Sequence, residues 1–454
     1  MTSTAIDPRK LLDSSPMSTL QIIVVAITVF LNALDGFDVL SISFASPGIA
    51  EEWGTTQAGL GIVLSMELIG MAIGSVLLGG VADKIGRRNT LLGCLMVMSL
   101  GMVMVPGTGN TVELSIWRVF TGLGIGGMLA CTNAVTAEFA NARRRALCIS
   151  LMVIGYPLGG VFGGMIASNL LASYDWRAVF YFGAAVTAFL IPVVYFLVPE
   201  SIQWLTRKQP EGALEKINGI LIRLKHSTVS ALPVISSEER KKSVAEIFKP
   251  GLIAITLMIT AAYFLHVTTF YFILKWTPKI VADMGFLPSL AGGVLVWANV
   301  GGALGGAIFG LLTTRFELRK LTIAILVLTA VGVAIFGRTP EDLDRMKMLA
   351  AFAGFFGNAG ITGLYSIMAN AFPTHVRATG TGFAIGVGRG GAVLSPILAG
   401  FLLDGGSSLP TVGLIMGMGS LLAGIVLIFL KLGTGRSAGA QAAQPDDSFK
   451  TSMA

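Results

Sequence analysis

Long apolar runs, separated by short polar segments, recur along the whole chain of 454 residues. A helix that crosses a bilayer needs about 20 mostly apolar residues, and this template matches twelve times. Only 13% of the residues are charged, whereas about a quarter are charged in a soluble domain. We therefore predict an all-α membrane protein with twelve transmembrane helices. The predicted spans are residues 22–44, 57–80, 90–107, 114–136, 146–171, 179–198, 252–273, 289–312, 321–336, 349–371, 380–403 and 412–430.

A polar interruption divides the twelve runs into two sets of six. We predict a six-helix bundle over residues 1–198, a cytoplasmic linker over 199–250, a second bundle over 251–432 and a disordered tail over 433–454. The first apolar run begins about 20 residues into the chain and lacks a small-residue cleavage site, so we interpret it as a retained span and not as a signal peptide.

Basic residues cluster between the spans, as they do in the cytoplasmic loops of membrane proteins. The clusters all fall on the side of the chain termini, so both termini are predicted to be cytoplasmic. This pattern accounts for the net charge of +7 without nucleic-acid binding. We expect a monomeric, multi-pass protein in the lipid bilayer of a bacterial inner membrane. The clusters are Arg9/Lys10, Lys84/Arg87/Arg88, Arg143/Arg144/Arg145 and Arg315/Arg319/Lys320.

An internal repeat supports the division into two bundles. Residues 155–160 (GYPLGG) correspond to residues 387–392 (VGRGGA), and the same offset pairs Arg145 with Arg377. Repeated halves related by an axis along the membrane normal create a cavity between them, and many carriers use this cavity to alternate access between the two sides.

Three motifs occur at fixed places relative to the spans. They are G-x-V-A-D-K-x-G-R-R at residues 79–88, R-x3-G-x-G-x-G at residues 118–126, and P-E-S followed by W-L at residues 199–205. Together they resemble the major facilitator superfamily over the whole chain. The resemblance implies two six-helix bundles that transport a small molecule.

Further segments resemble the aromatic acid:proton symporters within that superfamily. These are D-G-F-D at residues 35–38, the stretch from Glu138 to Arg145, and F-P-T-x-V-R-A-T-G at residues 372–380 with G-R-G-G at residues 388–391. The resemblance implies proton-coupled uptake of a small organic acid anion, namely an aromatic carboxylate.

Two residues favour a particular branch of these symporters. Glu67 is a polar residue that most members are not expected to have, and with Phe37 it favours the branch that carries muconate-like ring-cleavage acids. Lys84 and Asn141 depart from the family pattern, in which arginine and proline are commoner at these positions.

Five charged side chains fall inside the predicted spans. A charge at bilayer depth costs about 2.5 to 3.5 kcal/mol on insertion scales, so intramembrane charges normally face a cavity and indicate function. We predict that four of them serve proton coupling and that the fifth binds substrate. The four are Asp35, Asp38, Glu67 and Arg118, and the fifth is Arg389.

Asp35 and Asp38 are three residues apart and therefore share one helix face. Two close carboxylates in a low dielectric repel each other, so one of them is expected to hold a proton near neutral pH. Alternatively, the aspartates only pair with Arg118 or cap a helix that is broken at Gly36. The alternative for Glu67 is a protonated acid that is hydrogen-bonded to a neighbouring helix.

Arg389 lies near the middle of the eleventh span, among glycines. Its planar guanidinium matches bidentate binding of a carboxylate; the alternative is an internal salt bridge to Glu67 or Asp35. Other polar and aromatic side chains in the spans are candidate substrate contacts, although each of them could also serve packing alone. They are Asn32, Tyr156, His266, Phe270, Tyr271, Trp297, Asn299, Asn358 and Tyr365.

The family resemblance also implies a cytoplasmic gate, made of ion pairs that join the halves when the cavity faces outward. In this gate Asp83 is associated with the two arginines that follow it, and Glu138 is associated with Arg145. A solvated basic loop is the alternative. An ion pair that becomes buried on closure can bias the two states by a few kcal/mol. The predicted gate residues are Asp83, Arg87, Arg88, Glu138, Arg145 and Arg377.

Two other functions compete with symport. In efflux antiporters the fifth span resembles the motif G-x-x-x-G-P-x-x-G-G. Here Tyr156 replaces the glycine before Pro157, which counts against efflux. A membrane chemoreceptor without turnover is the other alternative. No phosphate-binding loop, metal cluster or nucleophile–base pair appears in the sequence, so neither an enzyme nor an ATP-driven pump is expected. The proton is the coupling ion, and no cofactor is expected.

Overall fold

All regular secondary structure is helical in the residues that the computed structural model describes, which are 7–233, 244–373 and 376–430. Twelve of the helices are long and apolar enough to cross a membrane, which confirms the predicted fold class and number of spans. The predicted tail, 433–454, lies outside the described residues. The helices are α1 (Pro8–Ser14), α2 (Thr19–Trp53), α3 (Gln57–Ile85), α4 (Arg87–Met104), α5 (Thr111–Phe139), α6 (Arg145–Ser173), α7 (Arg177–Leu197), α8 (Ile202–Lys208), α9 (Ala213–Arg223), α10 (Ile253–Asp283), α11 (Pro288–Leu312), α12 (Leu318–Phe336), α13 (Leu343–Ala371), α14 (Arg377–Asp404) and α15 (Leu409–Phe429).

Two of the spanning helices are much longer than predicted. Helix α2 continues to Trp53, past the expected end at residue 44, and α10 continues to Asp283, past residue 273. The added turns contain prolines and polar residues, which an apolar template rejects. These polar residues are tolerated because most of them are buried against neighbouring helices and are not exposed to lipid.

The two halves repeat the same packing. In the first half α3 packs on α5, α2 on α6 and α4 on α7; in the second half α11 packs on α13, α10 on α14 and α12 on α15. In the segment between the halves, which the sequence indicated to be polar, α8 and α9 bury Ile202, Leu205 and Ile217.

The halves meet through α3 with α14 and through α6 with α11. We call the side at which α2 begins and α15 ends the terminal face, and the other side the opposite face. Ser65 Oγ donates to the Val393 carbonyl at 2.8 Å, and Gln57 Nε2 donates to Asp283 Oδ2 at 3.0 Å. Both bonds lie toward the opposite face. Toward the terminal face, the described residues of the two halves form no hydrogen bond or ion pair with each other.

Close helix contacts depend on glycine. Gly301 and Gly305 of α11 lie directly against the backbone carbonyls of Ala351 and Phe355 of α13, where an added Cβ would overlap the oxygen. Small residues allow helices to approach this closely in a membrane. Gly310, on the same helix, has open space where a side chain would be.

We expect Gly305→Ala to lower the thermal unfolding midpoint of the detergent-purified protein, because its Cβ would overlap the Phe355 carbonyl, and overpacking typically costs about 1 to 3 kcal/mol. Gly310→Ala is the matched control: it should leave the midpoint unchanged or raise it, because alanine is the better helix former by about 1 kcal/mol. Equal midpoints for the two variants would contradict the close contact.

Candidate functional site

A cluster of fully buried charges lies where the two halves meet. Glu67 Oε1 of α3 lies 2.5 Å from the Arg118 guanidinium of α5, and Glu67 Oε2 lies 3.5 Å from Lys275 Nζ of α10. All three side chains are inaccessible to solvent. Glu67 thus lies between two cations, one from each half.

The two cations of this cluster also contact the backbone of α2. Arg118 donates to the carbonyl of Asp38 at 3.0 Å, and Lys275 donates to the carbonyl of Val39. These carbonyl acceptors supplement the single carboxylate of Glu67. Helix α2 therefore forms the third side of the charged cluster.

Lys275 is absent from the sequence prediction. The predicted seventh span ended at residue 273, so a lysine two residues later was assigned to a loop. The available signal was the aromatic and aliphatic sequence on both sides of it, Ile273-Leu274 before and Trp276 after. These neighbours are buried in the structure, and they carry α10 two further turns past the lysine.

Asp35 and Asp38 are buried in the middle of α2. Their four carboxyl oxygens have no hydrogen-bond partner among the described residues. Helix α2 is continuous through Gly36, so neither aspartate caps a broken helix, and Arg118 contacts the backbone of Asp38 and not its carboxylate. Unpaired carboxyl groups inside a bundle are candidate proton-binding groups.

Arg389 of α14 is partly exposed and makes no ion pair or hydrogen bond with any residue that the structure describes. The internal salt bridge to Glu67 or Asp35 that we considered is therefore not formed. The guanidinium is nevertheless close enough to interact electrostatically with Asp35, Tyr263 and Tyr271. Its donors remain available for an anion.

Four of the seven tyrosines gather around this centre. The hydroxyls of Tyr263 and Tyr365 lie 3.1 Å apart. Tyr156 and Tyr271 interact with each other across the two halves, although the buried Tyr156 hydroxyl has no hydrogen-bond partner of good geometry among the described residues. Tyr263 is a member that the sequence prediction missed, since its type and position did not distinguish it from core aromatics.

Two predicted substrate contacts are placed elsewhere. Both ring nitrogens of His266 are already bonded, Nδ1 to Ser420 Oγ at 2.8 Å and Nε2 to the Gly357 carbonyl at 2.9 Å. His266 therefore joins helices within the second half. Trp297 is 48% exposed and belongs to an exposed stripe with Leu290, Leu304 and Leu311. That seven-residue spacing marks a single outer face of α11, because two helical turns bring the chain back to nearly the same side.

The remaining predicted contacts lie within the bundles. The amide nitrogens of Asn32, Asn299 and Asn358 all donate to backbone carbonyls of α6 or α11. Asn32 also buries an Oδ1 atom that has no partner among the described residues. Phe270 packs edge-to-face against Tyr271, with ring centroids 6.0 Å apart. Asn32 therefore has an acceptor that remains free among the described residues.

Arg87 is the centre of an ion network at the terminal face. It lies 2.9 Å from Asp83 and 3.7 Å from Glu138, and Asp83 also pairs with Arg207 at 2.7 Å. The backbone N–H groups of Arg87 and its neighbour Arg88 donate to Glu200 Oε1 at 2.7 and 3.2 Å. All of these residues belong to the first half or to the segment that follows it.

The structure does not form the expected association of Glu138 with Arg145. Arg145 instead pairs with Asp13 of α1 and donates to the Ala137 carbonyl at 2.9 Å. Arg377, its counterpart in the second half, donates to the Phe372 carbonyl at 3.4 Å. Among the described residues, no gate side chain forms an ion pair or hydrogen bond with the other half.

Comparison with known proteins agrees with this architecture. The sequence profile of the Major Facilitator Superfamily matches residues 26–299 and 261–451. The chain belongs to the major facilitator superfamily. It is therefore a multi-pass transporter of the bacterial inner-membrane type and not an enzyme.

Several relatives of this superfamily member are transporters of aromatic acids, as the sequence resemblance predicted. The gallate transporter of Pseudomonas putida is 26% identical over 93% of this chain and 94% of its own length. The 3-(3-hydroxy-phenyl)propionate transporter of Escherichia coli is 28% identical over 88% and 92%. The inward-open xylose transporter XylE from E. coli shares the fold, with a TM-score of 0.71, 18% identity and coverage of 92% and 98%.

If the Arg87 network helps to close the terminal face in the alternate state, Asp83→Asn should favour the state in which that face is open. A cysteine at position 386, an exposed position of α14 with open space around it, should then react faster with a maleimide, by about fivefold or more. The control is Glu317→Gln, which removes a carboxylate from an exposed pair with Lys320 at the same face. Equal labelling rates in the two variants would leave Asp83 without a gating role.

Proposed function

We propose that this transporter imports a small aromatic carboxylate, or a related ring-cleavage acid, together with protons. The observation that carries the proposal is an unpaired guanidinium, Arg389, beside tyrosines and unpaired carboxyl groups in one cleft. The relatives, which are transporters of gallate and 3-(3-hydroxy-phenyl)propionate, support the same class of substrate.

The substrate carboxylate would bind Arg389. A guanidinium presents two parallel N–H donors that match the two oxygens of a carboxylate, and Arg389 has no partner to displace. An aromatic ring attached to that carboxylate would lie among Tyr156, Tyr263, Tyr271 and Tyr365. Aromatic side chains bind rings by offset or edge-to-face contacts, and their hydroxyls can bond to polar ring substituents.

Charge balance supports proton coupling. The described residues at the centre include three carboxyl groups, Asp35, Asp38 and Glu67, and three cations, Arg118, Lys275 and Arg389. An incoming monoanion adds one negative charge to a low-dielectric site, where net charge is costly. One proton taken up by Asp35 or Asp38 restores the balance. This balance supports uptake of the acid and the proton together.

Transport would proceed by alternating access between the bundles 1–198 and 251–432, joined by the segment 199–250. The excess of Lys and Arg at the terminal face makes that face cytoplasmic. The described conformation, open toward the termini, is then the inward-facing one. The gate residues around Arg87 would close the cytoplasmic side in the outward-facing state, and the protein would work as a monomer without a cofactor.

We expect Asp35→Asn and Asp38→Asn to abolish substrate accumulation driven by a pH gradient in proteoliposomes, because an amide cannot take up and release the coupling proton. The control is Glu51→Gln, which changes an exposed carboxylate on the same helix. Substrate binding can survive in the aspartate variants. If both aspartate variants accumulated radiolabelled substrate at the rate of the control, their coupling role would be disproved. If the wild type itself accumulated none, a chemoreceptor would be favoured.

We expect Arg389→Lys to weaken acid binding by about tenfold although it keeps the positive charge, because the planar fork is lost. The probe is the aromatic acid that gives the largest thermal shift, compared with its neutral amide by calorimetry. Wild type should prefer the acid strongly, and the variant should lose most of that preference. Arg338→Lys, at an exposed position of the second half, is the control. If Arg389→Lys kept the full preference for the acid over the amide, Arg389 would not bind the carboxylate. The anion site would then be Arg118 or uncharged donors.

A further inference from the structure

Lys275 has no part in the substrate or proton steps proposed above, yet it is completely buried. It belongs to α10 of the second half, and its ammonium reaches two groups of the first half, Glu67 Oε2 and the Val39 carbonyl. Glu67–Lys275 is the only ion pair between the two halves in the part of the chain that the structure describes. A single side chain therefore provides the ionic connection across the interface.

This ion pair belongs to the closed part of the cleft. The hydrogen bonds Ser65–Val393 and Gln57–Asp283 join the halves on the same side, toward the opposite face. In addition, Ser168 of α6 packs against Gly292 of α11 there. Opening of the opposite face requires these elements to separate, so it also requires Lys275 to leave both of its acceptors.

The two cations beside Glu67 respond differently to such an opening. Arg118 and Glu67 lie on α5 and α3 of the same half, whose glycines bring the two backbones into direct contact, so this pair moves as a unit. Lys275 is on the other half and has no second carboxylate partner among the described residues. A buried charge that loses its partner is strongly destabilising unless water replaces it.

We propose that Lys275 is the latch that holds the opposite face closed, through its ion pair with Glu67. The latch forms in the conformation open toward the termini and breaks in the conformation open to the other side. Other titratable groups lie near Glu67. They are Asp35 and Asp38 of α2, Tyr156 of α6 and Tyr271 of α10.

The test measures how accessible the contact between Ser168 and Gly292 is to a labelling reagent. Ser168 has a buried hydroxyl without a hydrogen-bond partner among the described residues, so Ser168→Cys is a conservative reporter once the three native cysteines, all buried, are replaced by alanine. We expect Lys275→Met to raise the maleimide labelling rate of this cysteine by about tenfold in purified protein, within the range of about 5- to 150-fold typical of energetic coupling.

Lys279→Met is the matched control. Lys279 lies one turn further along α10 and pairs with Asp283 of its own helix, so its loss breaks no ion pair between the halves. We expect its labelling rate to equal that of the parent. Equal rates in Lys275→Met and Lys279→Met would overturn the proposal. The measurement uses neither substrate nor a proton gradient, so its outcome is independent of the proposed uptake of aromatic acids.

A double variant separates a latch from simple charge compensation. If Lys275 only neutralises Glu67, Lys275→Met/Glu67→Gln removes both charges and should restore slow labelling, which would overturn the proposal. If attraction between the two residues closes the face, labelling in the double variant should stay fast. Lys275→Met alone is the primary comparison, because it keeps the Glu67–Arg118 pair, whereas the double variant leaves Arg118 without a carboxylate partner.

Discussion

A charge inside an apolar bundle must be met by an opposite charge, by hydrogen-bond donors or acceptors, or by water. In this protein Glu67 meets that requirement with Arg118 from its own half and Lys275 from the other half. Backbone carbonyls of α2 supply the remaining acceptors. The position of the two halves relative to each other therefore depends on how these charges are satisfied.

The same constraint distinguishes the other charged groups of the cleft. Arg389 is partly exposed, so water can solvate its guanidinium while no anion is bound. Asp35 and Asp38 are buried without hydrogen-bond partners among the described residues, and in the proposed uptake a proton neutralises one of them when the substrate anion binds. In the proposed function, substrate and proton act on groups that the protein itself leaves unpaired, whereas the charges that it pairs join helices to one another.

Glycine makes this arrangement possible. The helix pairs α3–α5 and α11–α13 are related by the internal repeat, and both bring glycine directly against a backbone carbonyl. Contacts of this kind make each half compact without large apolar side chains. Between the halves, glycine contacts occur toward the opposite face, for example Gly61 of α3 against the Pro396 carbonyl of α14.

Much of the fold could be predicted from residue type and spacing. Twelve apolar runs predicted the number of spans, and the resemblance of three motifs indicated the superfamily. Helix ends were less predictable: α10 continues to Asp283 because its polar residues are buried by neighbouring helices. Lys275 was missed for this reason, since a lysine past the last apolar residue resembles the start of a loop.

The sequence by itself determined that Asp35, Asp38, Glu67, Arg118 and Arg389 lie inside spanning helices, because each of them stands within a long apolar run. Only the tertiary structure decided their partners. Glu67, Arg118 and Lys275 are far apart in the chain and meet because three helices from two halves converge. Trp297 faces outward and His266 is bonded within its bundle, since the orientation of a side chain depends on neighbouring helices that no local pattern encodes.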